Sequence, residues 1–212
     1  MKLFIVFYKS GCSGIVLKLD YEKAYDRVNW DFLLDTLRKR GFGFKWVSWI
    51  RRILHNGSVG VQVNNVEGEY FETGKGLRQG DPLSPILFNL VVDVLTKMLS
   101  KATSHGLISG LGAELIPDGV VSLQYADDTI LFLENDINKA KNLKNILTCF
   151  ELMSDMKINY DKSEMIPMNL EDYEEKCMQE TLGCPVGAFP IKYLGVPVSP
   201  GKLHVKDWVQ LE

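Results

Sequence analysis

Histidine and cysteine are scarce in this 212-residue chain, and those present are scattered. His55, His105 and His204 stand far apart, and Cys12, Cys149, Cys177 and Cys184 form no Cys-x-x-Cys pair. That spacing argues against a zinc site and against a secreted disulfide framework, and it fits a reducing, intracellular compartment better than export. Long hydrophobic runs are also lacking. "MKLFIVFYK" has only a six-residue apolar core before Lys9, too short for a signal-peptide core with a cleavage site, and no other stretch approaches membrane-spanning length. No membrane partner is expected. Internal repeats, low-complexity tracts and proline- or serine-rich linkers are missing, so composition does not divide the chain. A strong charge of either sign is missing too: the net charge of −3 disfavours holding nucleic acid by bulk attraction.

What is there is an ordinary globular composition, 46% hydrophobic and 24% charged, enough for one well-packed domain or two small ones. The charges are unevenly spread. Residues 1–105 carry 15 Lys and Arg against 10 Asp and Glu, while residues 106–212 carry 9 against 17. The first half can therefore face phosphates, through Arg38-Lys39-Arg40, Arg51-Arg52, Lys75 and Arg78, with Trp46, Trp49 and Tyr70 among them. Solvated helix faces account for such clusters equally well.

Hydrophobic periodicity and cap residues order the elements. Gly14 to Leu19 is predicted as a buried strand ending at Asp20. "NWDFLLDTLRKRG" has Asn29 as N-cap, acids early, bases late and Gly41 as stop, the order a helix dipole favours. A second helix carries Trp46, Val47, Ile50, Ile53 and Leu54 on one face, and "VGVQVNNVEGEYFETG" reads as a hairpin. "SPILFNLVVDVLTKMLSKA" is a helix capped by Ser84, with Pro85 at its first position and Leu87, Leu90, Val91, Val94, Leu95 and Met98 as its apolar stripe. A helix over about 136–154, a strand from Lys157 to Ile166, an acidic helix from Glu171 to Leu182 and a β segment "FPIKYLGVPVS" follow.

The segment "VVSLQYADDTILFLEN" raises a chemical question. Its flanks have strand composition and Ala126-Asp127-Asp128-Thr129 has the polar centre of a tight turn, which gives a hairpin with carboxylates at its tip. Adjacent, partly desolvated carboxylates repel unless a positive charge is supplied. A solvated turn is one explanation and a bound divalent cation another. The strand and helix order fits a ferredoxin-like split βαβ sheet, an α+β fold with helices packed on one face, in which the first strand and the central hairpin are neighbours. Asp20 and Asp127 could then converge to hold two metal ions about 4 Å apart for in-line phosphoryl transfer.

Five blocks carry a resemblance: "LKLDYEKAYDRVNW", "GKGLRQGDPLSPILFNLVVD", "LQYADDTILF", "DMKINYDKSEMI" and "IKYLGVPVS". In this order and at these separations the chain resembles the reverse transcriptase palm of LINE-type, non-LTR retrotransposons, most like those of plants. The resemblance covers residues 11–202, leaving 1–10 unmatched and 203–212 as a tail. It implies a polymerase palm, DNA synthesis on an RNA template from a DNA primer and deoxynucleoside triphosphates, and two Mg²⁺ ions, with Mn²⁺ as substitute. By the same resemblance Asp20 and Asp127 are the principal metal ligands with Asp128 beside them, and Lys162 neutralises or protonates the leaving pyrophosphate. Tyr25 lies under the incoming sugar, Gln79 and Gly80 contact template base and nucleotide, and Tyr193, Leu194 and Gly195 hold the primer end. The family's fingers region before the first strand and its thumb have no counterpart here, so an active fragment and a catalytically silent remnant that binds nucleic acid or a partner both stay open. A palm-like cyclase or two-metal nuclease shares the carboxylates but leaves Gln79 and Lys162 unexplained. An RRM-type sheet lacks its exposed aromatic pair.

Overall fold

A computed structural model describes residues 2–116, 119–203 and 207–208. Most of the expected tail lies outside the described residues. The elements run α1 (Lys2–Lys9), β1 (Gly14–Leu19), β2 (Tyr21–Glu22), α2 (Ala24–Arg27), α3 (Trp30–Lys39), α4 (Phe44–His55), β3 (Ser58–Val63), β4 (Val66–Glu72), α5 (Ser84–Ser104), β5 (Ser122–Tyr125) and β6 (Asp128–Glu134), then α6 (Ile137–Ser154), β7 (Lys157–Ile158), β8 (Glu164–Met168), α7 (Asp172–Leu182), β9 (Ile191–Tyr193) and β10 (Val196–Val198). The chain forms two compact units. One comprises Met1–Tyr21, Thr96–Thr148 and Ile158–Glu212, the other Glu22–Leu95 and Cys149–Lys157.

The first unit holds a four-stranded antiparallel sheet in the order β5-β6-β1-β8. This is the ferredoxin-like order expected from the sequence, with the first strand between the second hairpin strand and the last. β1 reads as a nearly unbroken apolar run because both faces are covered. Val16, Ile130, Phe132, Ile166 and Met168 form one core with Phe4 and Phe7 of α1, Leu111, Ile191 and Val198. Ile15, Leu17, Leu19, Leu131, Leu133 and Met165 alternate to the other face and are also buried. Helix α1, in the segment left unmatched by the resemblance, thus adds a helical layer: Phe4 lies 5.4 Å and Phe7 6.2 Å from the Phe132 ring, centroid to centroid. Gly14 allows the sheet to close, since a Cβ there would stand 2.2 Å from the Leu133 carbonyl oxygen.

The expected strand from Lys157 to Ile166 is divided. A turn separates β7 from β8, in which the Asn159 carbonyl accepts from the Lys162 and Ser163 N–H groups at 3.2 and 2.8 Å and its side-chain Oδ1 also accepts from Lys162 N–H. Asn and Asp favour such turns through their own side chains. Between β9 and β10, Leu194 (φ 50°) and Gly195 (φ 77°) make a two-residue turn with both central residues left-handed, the type I′ pattern.

In the second unit, Asn29 caps α3 by accepting from Phe32 N–H at 2.9 Å, as expected, and α3 buries Trp30, Leu33, Leu34 and Leu37. Trp30 Nε1 donates to the Gly76 carbonyl at 2.7 Å. The apolar stripe of α5 is rotated from the expected one. Phe88, Val92 and Leu99 join Leu87, Val91 and Leu95 in the interior, while Leu90, Val94 and Met98 are only half-buried. Apolar residues occupy two sides of this helix, so periodicity alone does not choose between them.

β3 and β4 pair only with each other among the described residues, and every residue of both strands is exposed. The register slips between Gly60 and Gln62, so that Gly68 and Glu69 together oppose Val61. This bulge has a purpose. Val66 and Phe71 are an odd number of residues apart and would face opposite ways on a regular strand; the extra residue turns both onto the face of Val59, Val61 and Val63. The hairpin therefore presents an apolar face to solvent.

Candidate active site

The carboxylates lie at one end of the four-stranded sheet, in the first unit. β1 and β6 are in register to Leu19↔Thr129, and the same register continued one step would set Asp20 opposite Asp128. β5 and β6 close at Tyr125↔Asp128 around the two-residue turn Ala126-Asp127. The turn is thus centred one residue earlier than the Ala126 to Thr129 reading, and Asp128 is already the first residue of β6. Ala126 has φ 51° while Asp127 has a negative φ, the pattern of a type II′ turn. A non-glycine residue there stores about 1–3 kcal/mol of strain. Below the tip, Gln124 accepts from Thr96 Oγ1 at 2.7 Å and donates to the buried Thr129 Oγ1 at 3.3 Å. Asp20 and Asp127 are exposed and Asp128 half-buried. None of the three pairs with a cationic side chain among the described residues.

The backbone of Asp20 is held from the other flank. Its N–H donates to Ser163 Oγ at 3.0 Å and its carbonyl accepts from Asn159 N–H at 2.8 Å. The β1–β8 ladder ends at Lys18↔Glu164, and its register continued two steps would bring Lys162 opposite Asp20. Lys162 itself is exposed, at the end of the Asn159 turn. Tyr193, on β9, is half-buried; burial first, and then the negative charge of Asp128, hold its phenol above the usual 10.0. The β9–β10 hairpin therefore brings Tyr193 within electrostatic reach of the carboxylates, with Leu194 and Gly195 exposed at its tip.

Tyr25, Gln79 and Gly80 belong to the second unit. Tyr25, in α2, stacks on Phe88 with centroids 4.4 Å apart and planes 11° from parallel, and its carbonyl accepts from Leu77 N–H at 2.7 Å. Gly76 (φ 89°) pins the loop to the same place: a Cβ there would stand 2.6 Å from the Asp26 carbonyl oxygen. Gln79 and Gly80 follow on the exposed part of that loop, Gly80 also with φ 89°. Asp81 accepts from Leu83 N–H at 2.8 Å ahead of α5.

Sequence reasoning overlooked Asn159 and Ser163. Their signal was the "NYDKS" string, where a turn-forming Asn and a Ser bracket the lysine that drew attention. Among the described residues no three His, Cys, Asp or Glu side chains gather into a ready-made metal cage. The donor set nonetheless suits a hard cation, since Asp20, Asp127 and Asp128 offer only oxygen and no compensating charge. Mg²⁺ is commonly held by one or two carboxylates together with substrate phosphates rather than by a closed protein cage.

A sheet of this order, ending in acidic turns, defines a palm-type α+β unit, and solved structures share it. The fold matches an apo telomerase from Candida tropicalis lacking its C-terminal domain, with a TM-score of 0.57 at 15% identity over 79% of this chain and 35% of that one. The family described as reverse transcriptase (RNA-dependent DNA polymerase) matches residues 7–198, and the chain belongs to that family. Relatives include the Pol polyprotein of the type-2 retrotransposable element R2DM of Drosophila melanogaster, 28% identical over 87% of this chain and 17% of that protein. An uncharacterized 149 kDa protein of transposon TX1 from Xenopus laevis is 28% identical over 96% of the chain and 15% of its own length. A plant likeness extends over a short stretch: the uncharacterized mitochondrial protein AtMg01250 of Arabidopsis thaliana is 42% identical over 26% of this chain and 45% of that protein. The chain spans about a sixth of the length of the two retroelement proteins.

Proposed function

We propose that this chain is the palm of a non-LTR retrotransposon reverse transcriptase of plant type, spanning residues 11–202, and that it joins deoxynucleotides to a DNA primer on an RNA template. The observation that carries the reading is that β1 and β6 pair as far as Leu19↔Thr129, one step short of Asp20 and Asp128, with Asp127 in the adjoining two-residue turn. Asp20 and Asp127, assisted by Asp128, would hold divalent ions, Mg²⁺ or in its place Mn²⁺. When bound, such ions supply charge stabilisation to the attacking and leaving oxygens of an in-line displacement. The protein's own part is positioning. Tyr25, its ring immobilised against Phe88, packs under the incoming sugar, and Gln79 and Gly80 meet the nucleotide and template base. Lys162 brings a cation to the leaving pyrophosphate, where negative charge develops. Tyr193, Leu194 and Gly195 hold the primer end beside Asp128.

Primer extension on a primed RNA template with Mg²⁺ tests the reading. Slow templated addition, abolished by Asp127→Asn, is expected. Extension that survives Asp127→Asn contradicts the carboxylate assignment. A second reading, a catalytically silent retroelement remnant, draws on the open carboxylate arrangement among the described residues. It is favoured if metal binds but no nucleotide is added by any preparation of the chain.

A further inference from the structure

We propose that Ser163 is a positioning residue for Asp20: its buried hydroxyl fixes the backbone from which that carboxylate reaches the metal. The inference rests on the polymerase reading above and adds to it a residue that reading does not use. Ser163 is fully buried, and its Oγ has two partners. It accepts from the N–H of Asp20 at 3.0 Å and donates to the carbonyl of Asn159 at 2.8 Å. Asn159 closes the loop, its N–H donating to the Asp20 carbonyl at 2.8 Å. Both backbone polar groups of Asp20 are thereby bound to the Asn159–Ser163 turn, from a place 143 residues away in sequence.

The arrangement answers a geometric need. β1 hydrogen-bonds β8 only as far as Lys18↔Glu164, so the ladder has ended before Asp20 is reached. Asp20 is the single residue between β1 and β2, which pairs with β7, and belongs to neither ladder, whereas a carboxylate serving a metal must stay within a few tenths of an ångström of its productive place. The Ser163 hydroxyl takes the place of the missing ladder bond. The same turn carries Lys162, whose N–H is bound to both the carbonyl and Oδ1 of Asn159. One hydrogen-bonded frame therefore sets Asp20 and Lys162 relative to each other, and a loss at Ser163 loosens both.

The test uses the full chain and Mn²⁺ as the probe. Mn²⁺ affinity is read by water-proton relaxation for the wild type, Ser163→Ala, Ser163→Thr, Asp20→Asn and the Ser163→Ala/Asp20→Asn pair, with melting temperature and Asp20 amide exchange recorded for each. Ser163→Ala is expected to weaken Mn²⁺ about tenfold and to speed exchange of the Asp20 amide, an effect of the size expected when a hydrogen-bonded group loses its partner. Ser163→Thr, which keeps the hydroxyl, is expected to restore both, and Ser163→Ala is expected to weaken Mn²⁺ no further once Asp20 is Asn. Unchanged affinity and unchanged Asp20 exchange in Ser163→Ala overturn the proposal. So does an equal loss of affinity in Ser163→Ala with and without the Asp20 carboxylate, which marks a general loss of structure. Should Ser163→Thr fold poorly, the Asp20→Asn pair decides alone. A wild type whose Mn²⁺ binding is indifferent to both Asp20→Asn and Asp127→Asn refutes the polymerase reading itself, a result distinct from either failure of the positioning role.

Discussion

Helix α1 is tied to the sheet by a contact that one double-mutant cycle can isolate. Phe7 is fully buried against Phe132, and the space it fills is bounded by Gly112, whose φ is 76°. A Cβ on Gly112 would lie 2.2 Å from one ring carbon of Phe7 and 2.8 Å from the next, so the ring and an alanine cannot share the site. Phe7→Ala should cost about 3–5 kcal/mol, the usual loss for emptying a buried phenylalanine site. That is a large share of the ~5–15 kcal/mol by which domains are stable. Gly112→Ala should cost about 1–3 kcal/mol from overpacking, with a further ~1 kcal/mol or more because alanine resists a positive φ. Once Phe7 is alanine, the overpacking disappears and only the backbone strain remains. The double variant should therefore be more stable than the sum of the single losses implies, by about 1–3 kcal/mol. Urea unfolding of the four proteins, followed by circular dichroism and fluorescence together, measures this. Losses that add to within about 0.5 kcal/mol, the scatter of independent sites, would refute the placement of α1 on the sheet.

Further outcomes follow from other parts of the molecule. The valine face of the β3–β4 hairpin should bind a hydrophobic dye, and Val61→Thr with Val63→Thr should reduce that binding while changing stability by no more than about 0.5 kcal/mol, as is usual for exposed positions. The thiols should react with an aromatic disulfide reagent in order of exposure, Cys149 first and Cys184 only on unfolding, since Cys184 is buried and burial pushes its thiol up. Because Tyr193 keeps its proton to higher pH than in the unfolded chain, its contribution to stability is complete below pH 10 and is lost as pH rises through the raised native value. Asp128→Asn should lower that ionisation, read at 295 nm as the difference from Tyr193→Phe. Asn29→Ala should cost about 1 kcal/mol, the usual value of a lost N-cap, measured by thermal unfolding.

Much of the fold was legible in the sequence because its signals are local. The Asn29 cap, the β3–β4 hairpin and the apolar runs of β1 and β6 each state their conformation within a few residues. The placement of β1 beside the central hairpin followed from strand order alone. What escaped depends on partners distant in sequence. Phe4 and Phe7 read as an apolar stub because Phe132 and Gly112, which seat them, lie more than a hundred residues away. Ser163 is unremarkable until the chain brings it under Asp20, and the α5 stripe could not be chosen when two sides of the helix were apolar. The role of the β4 bulge appears only when Val66 and Phe71 are seen on one face.

The central claim, that Asp20 and Asp127 jointly hold the ions of a polymerase site, is tested most directly by crystallising the chain with Mn²⁺, a primed RNA template and a non-hydrolysable deoxynucleoside triphosphate, and locating the metal by anomalous scattering. Two peaks about 3.5–4 Å apart, as in two-metal sites, bridged by the Asp20 and Asp127 carboxylates and touching the triphosphate, are predicted. Manganese bound elsewhere, with neither carboxylate in its coordination sphere, would contradict the account.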